Sequence, residues 1–406
     1  MSLQPRILLC CEHYPPSIGG VQEVMRQIAE RLVSAGVDVT VATSTHPERA
    51  IDTIRNGVRV LSFPIKGNLV KGMKGPLREY QTLLQEGNFD AILIKAAQQW
   101  TFDAAIDVLL SLECRKLFIP CGFSGLSSNE YKEYYRQMPA WLVLFNHLIF
   151  YSNEYQDTNF ARRHGLKNFT IIPNGVDERE FIDLNDHAVR SRLGIDSSHD
   201  VLLSVGSQIA GKGHWEVIRA FGKARLNRPA TLVINANTPG NVIARIKRHI
   251  KHALSGRWPL PLLAWWYGRQ PELKHVILID LPREELVNLY KTADLFVLAS
   301  HFEYSPLVLF EAAASATTFL ASSAGNSEEI AFWTSGGKVI PRGNGVSAEL
   351  SVCELAHQME SLLANPEQLY AMGRGAREKI LCNGYTWDAI TKQYLHLMVD
   401  FDKRVL

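Results

Sequence analysis

Short runs of β-branched and other apolar residues recur along the chain, separated by stretches whose apolar positions fall every three or four residues. The runs predict strands at 7–11, 37–43, 58–63, 91–95, 116–120, 147–152 and 170–173 in the first half. In the second half they predict strands at 201–205, 231–235, 276–281, 295–299, 318–322 and 338–340. Many are unbroken apolar runs rather than strict alternations, the pattern of strands covered on both faces of a parallel sheet. Between them, Val21, Val24, Met25, Ile28 and Leu32 form one helical stripe, and Trp215, Ile218 and Phe221 form another. Alternating strands and helices predict right-handed βαβ units and an α/β fold of doubly wound sheets.

The series pauses over a polar stretch, 177–199, with a short helical pattern near 186–193, and restarts at Asp200. This reads as a linker between two Rossmann-like domains, 1–180 and 181–385. A last segment, 386–406, carries the helical stripe Trp387, Ile390, Tyr394 and Leu397. Domains average roughly 150 residues, so a chain of 406 residues allows two or three. The pattern settles on two, without short-period repeats.

Composition adds exclusions. A hydrophobic share of 46% against 21% charged residues excludes a disordered chain, which lacks the apolar area to offset chain entropy. The net charge of +2 argues against a general nucleic-acid partner, which calls for a basic excess. The long uncharged run 138–153 contains Pro139, Asn146 and His147 and falls short of the ~20 apolar residues of a membrane span. Residues 1–6 carry no signal-peptide pattern. Six cysteines without a CxxC spacing read as reduced, buried thiols of a cytoplasmic protein.

Three stretches carry candidate chemistry. Tyr14 to Val21, with Gly19 and Gly20, lies between the first strand and its helix, at the sheet edge where open α/β folds bind ligands. Val205 to His214 takes the equivalent place in the second half. It sets Gly206, Ser207 and Lys212 in a Gly-rich turn suited to a phosphate, without Walker A spacing. The third, His301 to Ala312, follows an apolar strand. Ser305 then Pro306 predicts a helix start, with Ser305 as cap. That leaves Glu303 in the loop before the helix and Glu311 inside it. Two carboxylates flanking a helix N-terminus suit a diphosphate that joins two hydroxylated sugars.

Glu303 to Glu311 forms an E-x7-E pattern that resembles the signature of retaining glycosyltransferases of family 4, which have the GT-B fold. Four further stretches are similar to that family in order and position. They are Tyr14–Gly20 with the following helix and strand, Ile172 to Asp177, Gly206 with Lys212 and Gly213, and Gly325 to Ile330. The segment from Tyr385 resembles the family's helix that crosses back to the N-terminal domain. The resemblance implies two doubly wound Rossmann-like domains facing across a cleft, an acceptor side in 1–180 and a nucleotide-sugar donor side in 181–385.

It further implies that Glu303 contacts donor-sugar hydroxyls, Glu311 the ribose, and Lys212 the diphosphate. Backbone at Asp280–Arg283, including Leu281, would meet the base. Tyr304, Ser305 and Leu307 would meet the phosphate, and Gly20 would line the cleft. The family needs no metal or other cofactor, and Asp400 and Asp402, though spaced as DxD, lie in a polar tail and are rejected as a metal site. Two departures stand out: Ser207 occupies a place usually basic, and 119–125 lacks the His often found near the donor sugar. Arg283 and His214 are candidates to supply the missing positive charge.

The segment 240–274 is longer than the family's usual connection. Ile243, Ile246 and Ile250 form a stripe among Arg245, Lys247, Arg248 and Lys251, followed by Trp258, Trp265, Trp266 and Tyr267. A basic amphipathic stretch with aromatics suits peripheral contact, through 241–268, with the inner face of a membrane or with a lipid-linked acceptor. The leading reading is transfer of a sugar from a nucleotide diphosphate sugar to an acceptor hydroxyl, with retention, in polysaccharide or glycolipid assembly. A catalytically weak or inactive nucleotide-sugar-binding partner of another transferase is the alternative, and a GT-B epimerase or phosphorylase a third.

Overall fold

The computed structural model describes residues 4–182, 188–237, 258–268, 273–341 and 350–399. The chain divides into two compact units: one runs to Gly175 and takes in the segment from Trp387, and the other is Val176–Thr386.

The first unit is built on an eight-stranded sheet. Its strands are β1 (Arg6–Cys10), β2 (Asp38–Ser44), β3 (Asp52–Arg55), β4 (Val58–Phe63), β5 (Ala91–Lys95), β6 (Arg115–Ile119), β7 (His147–Phe150) and β8 (Phe169–Ile171). The spatial order is β3-β4-β2-β1-β5-β6-β7-β8. Every pairing is parallel except β3 with β4, an antiparallel edge pair. β3 escapes the apolar-run reading because its residues, Asp-Thr-Ile-Arg, are mostly exposed at the rim. The helix Gly20–Ser34 buries Val24, Met25, Ile28 and Leu32, while Val21 is only half-buried.

The helix Trp387–Met398 also belongs to this unit. It buries Trp387, Ile390, Tyr394 and Met398, and burying each large apolar side chain contributes roughly 1.5–3 kcal/mol. Arg31 Nε donates to Asp388 Oδ1 at 2.5 Å, joining this helix to Gly20–Ser34. Tyr394 bonds Tyr151, whose hydroxyl also meets the amine of the fully buried Lys95. The units part at Gly175 rather than after residue 180, and Val176 N–H donates to Tyr385 O at 3.1 Å within the second unit.

The second unit holds a six-stranded parallel sheet in the order β11-β10-β9-β12-β13-β14. These are β9 (Asp200–Val205), β10 (Ala230–Asn235), β11 (Lys274–Ile279), β12 (Leu295–Leu298), β13 (Thr318–Ser322) and β14 (Gly337–Ile340). Neighbouring residues of a strand feed two cores: Leu202, Leu232 and Val297 pack on one face, while Val201, Leu203, Val233 and Phe296 pack on the other. That two-sided burial is why the strands read as unbroken apolar runs.

Of the six free cysteines, Cys10 and Cys11 are buried as expected. Cys353 and Cys382 are exposed on helices, correcting the reading of all six as buried. Among the described residues, no helix is long and apolar enough to cross a membrane.

Candidate active site

The sheet order of the second unit reverses between β9 and β12, which lie side by side. Loops leaving the carboxyl ends of two such strands diverge to opposite sides and open a crevice. The loop after β9 carries Gly206, Ser207 and Lys212, and the loop after β12 carries Glu303, Tyr304 and Ser305.

Backbone contacts lock these loops together. His301 N–H donates to Gly211 O at 2.8 Å. Gly213 sits at φ +71, and a Cβ there would lie 1.9 Å from Ala299 O, so only glycine lets the lysine loop approach β12. On the far side, Gly325, at φ +62, packs against the Glu303–Tyr304 backbone, and Asn326 N–H donates to Tyr304 O at 2.9 Å.

This scaffold brings Lys212 Nζ to 2.6 Å from Glu303 Oε1. The pair is mostly shielded, with side-chain exposures of 27% and 12%. Ser305 does not cap the following helix. Pro306 takes the N-cap position without a side-chain acceptor, and the helix runs Leu307–Ala314. Glu311, its fifth residue, is buried.

Arg283, expected near the base or as a substitute positive charge, opens the helix Arg283–Thr292 and turns to carboxylates. Its Nη1 lies 2.7 Å from Glu311 Oε1, and its Nε and Nη2 reach both oxygens of Glu180 at 3.2 and 2.6 Å. Burial works against the charge of Arg283, but Glu311 and Glu180 outweigh it and hold the guanidinium firmly protonated. Glu180 escaped sequence reasoning because it lies in the polar stretch read as a linker.

His214, the other candidate for the missing charge, is fully buried. Burial pushes its imidazole down to about 4, with the charge of Lys212 adding to the effect, so it is neutral near pH 7. Its Nδ1 lies 3.4 Å from Ser204 Oγ, and a Cβ on Gly206 would lie 3.5 Å from its Nε2. The imidazole therefore backs the root of the lysine loop and is not its second cation. Leu281, expected at the base, donates its N–H to Asn235 Oδ1 at 2.7 Å, tying the ends of β10 and β11 together.

Gly20 lies in the first unit, at the start of the helix after β1. There too the sheet order reverses, between β1 and β5, and the Gly19–Gly20 turn leaves the carboxyl end of β1. Among the described residues, no group of three or more His, Cys, Asp or Glu is placed to hold a metal ion. Asp400 and Asp402 lie outside the described residues.

The profile of glycosyl transferases group 1 matches residues 185–379, and that of Glycosyltransferase Family 4 matches 18–180. The chain belongs to the family 4 glycosyltransferases, with the GT-B fold. The enzyme is similar to the glycogen synthase of Mycobacterium tuberculosis (strain CDC 1551 / Oshkosh), at 25% identity over 95% of this chain and 92% of that protein. Its fold resembles that of a sucrose-phosphate synthase from Thermosynechococcus elongatus, with TM-score 0.72, 19% identity, and 97% and 98% of the two chains covered. It also resembles Anabaena HepE in complex with UDP and glucose, with TM-score 0.69, 15% identity, and 97% and 99% covered. The transferase is thus a nucleotide-sugar glycosyltransferase of glycan synthesis.

Proposed function

We propose that this transferase moves a sugar from a nucleotide diphosphate sugar to an acceptor hydroxyl with retention, without a metal, in polysaccharide or glycolipid assembly. The observation that carries the reading is the meeting of Lys212 with Glu303 at the reversal point of the second sheet, with Glu311 inside the adjoining helix. In this reading Lys212 holds the diphosphate, Glu303 accepts from hydroxyls of the donor sugar, and Glu311 accepts from the ribose. The backbone of Tyr304, Ser305 and Leu307 offers N–H groups to the phosphate at a helix N-terminus.

The family resemblance implies retention, and a front-face route accommodates it. The bond from the sugar to the diphosphate oxygen breaks, the acceptor oxygen attacks from the same face, and its proton passes to the departing phosphate. The protein orients the reactants and stabilises the charge that develops on the leaving diphosphate. Ser207 supplies a hydroxyl and no charge at a position usually basic, which favours one second reading: a nucleotide-sugar-binding partner with little turnover.

Thermal-shift measurements with UDP, GDP, ADP and CMP compounds, followed by transfer assays on sugars of the base that stabilises, test both. Stabilisation with transfer supports the enzyme, and stabilisation without transfer or hydrolysis supports the binding partner. No response to any nucleotide overturns both.

Peripheral membrane contact forms part of the same proposal, while residues 241–257 lie outside the described residues. The helix Leu260–Tyr267 bears no charged side chain, and around it Trp258, Leu262, Trp265 and Trp266 are 51%, 52%, 61% and 44% exposed. Indole rings of this kind favour the headgroup region of a bilayer. Flotation with anionic liposomes tests the contact, and absence of the protein from the lipid fraction overturns it.

A further inference from the structure

Three charged groups form a chain in the second unit: Glu180, Arg283 and Glu311. Arg283 is the first residue of its helix, where the macrodipole disfavours a cation. Its orientation therefore comes from its partners. The guanidinium divides its donors between them, with Nε and Nη2 on the two oxygens of Glu180 and Nη1 on Glu311 Oε1. A planar fork can satisfy both carboxylates at once, whereas the point charge of a lysine cannot.

Each end of the chain is anchored differently. Glu180 sits in the short turn Glu178–Phe181, held by the carboxylate of Asp177, which accepts from Arg179 N–H, and by Phe181, only 1% exposed. Glu311 lies in the helix Leu307–Ala314 with its side chain 11% exposed. An ionised carboxylate that shielded needs a compensating charge, and Arg283 provides it. One oxygen of Glu311 takes Arg283 Nη1, and the buried Tyr290 hydroxyl also interacts with this carboxylate. A carboxylate carries about four lone-pair sites, so capacity remains for ligand hydroxyls.

We infer that Glu180 is a positioning residue for ribose recognition: through Arg283 it fixes the carboxylate of Glu311 in the direction that accepts the ribose hydroxyls. This deepens the proposed function and rests on its assignment of Glu311 to the ribose. Glu180 touches no substrate. Its effect is to stop Arg283 from swinging away and taking Glu311 with it.

The test measures affinity of the full chain for UDP, GDP and ADP, each against its 2′-deoxy form, by calorimetry. For the base that binds, the wild type should lose about tenfold or more on removal of the hydroxyl, the effect of a hydrogen bond to a charged group. In Glu180→Gln, and separately in Arg283→Lys, that discrimination should fall to about twofold, with the ribonucleotide bound more weakly and the deoxynucleotide nearly unchanged. A general loss of structure would instead weaken both nucleotides alike, and thermal melting of each variant identifies it. If one variant does not fold, the other carries the test. Wild-type discrimination retained in a folded variant overturns the positioning role of Glu180. A wild type that does not discriminate overturns the assignment of Glu311 to the ribose, and the inference with it.

Discussion

Lys212 Nζ lies 2.6 Å from Glu303 Oε1, joining two loops that leave neighbouring parallel strands. The residues are 91 positions apart in sequence. The pair closes charge on charge at the place where the donor diphosphate and its sugar are proposed to bind. A ligand phosphate would compete with Glu303 for the ammonium, while the sugar hydroxyls would compete with the ammonium for Glu303.

Replacing Glu303 by Ala is expected to remove at least about 99% of transfer activity, the loss of a contact worth near 3 kcal/mol in the transition state. The variant should still melt cooperatively, because Glu303 lies in a loop and Lys212, with its side chain 27% exposed, can turn to solvent once its partner is gone. Initial rates and melting curves on the same preparation check this. Transfer within a few-fold of wild type would refute the role.

Lys212→Ala should act on donor binding through the diphosphate. Affinity for the nucleoside diphosphate should fall roughly tenfold to a hundredfold, as expected for losing a charge-assisted contact. The effect should shrink at high salt, where the remaining electrostatic attraction is screened. Calorimetry at two ionic strengths measures both quantities, and unchanged affinity would show that the lysine is only a loop residue.

His214 gives a pH dependence of stability. Its pKa is about 4 in the folded chain, held down by burial, against an ordinary 6.5. The unfolded chain therefore takes up a proton first as pH falls. This contribution to stability is present above pH 6.5 and is lost progressively down to about 4, a change of about 3 kcal/mol in all. His214→Gln should remove this component. Urea unfolding at pH 7.5 and 4.5 should show the wild type losing about 2 kcal/mol more than the variant over that interval. Equal losses would contradict the burial argument.

Gly213→Ala combines two penalties. The position has φ +71, and the added methyl would meet Ala299 O at 1.9 Å. A loss of about 2–4 kcal/mol in urea unfolding is expected, with weaker nucleotide binding, because Lys212 is its chain neighbour. A variant as stable as the wild type would mean the lysine loop can retreat from β12 without cost.

Much of the fold is legible in the sequence. Thirteen of the strands lie close to where apolar runs predicted them, and many of those runs are unbroken because both faces are buried. The exception, Asp52–Arg55, is an exposed edge strand with little apolar signal. Helix ends were less legible. Ser305 looked like a cap, but the loop held by Gly325 and Asn326 passes the N-cap position to Pro306.

The sequence by itself determined the residue types at the site: a lysine in a Gly-rich turn, two glutamates eight positions apart, and a serine where a basic residue is usual. Local spacing and backbone chemistry suffice for that. Only the tertiary structure decided which charges meet. Lys212 finds Glu303 because β9 and β12 are neighbours at the reversal of the sheet, and sequence distance does not encode strand order. Arg283 finds Glu180 and Glu311 because three elements converge on one point, which turns a residue of the apparent linker into part of the site. His214 reads in sequence as a charge-bearing neighbour of Lys212, and burial makes it neutral, since desolvation acts through the whole packed environment.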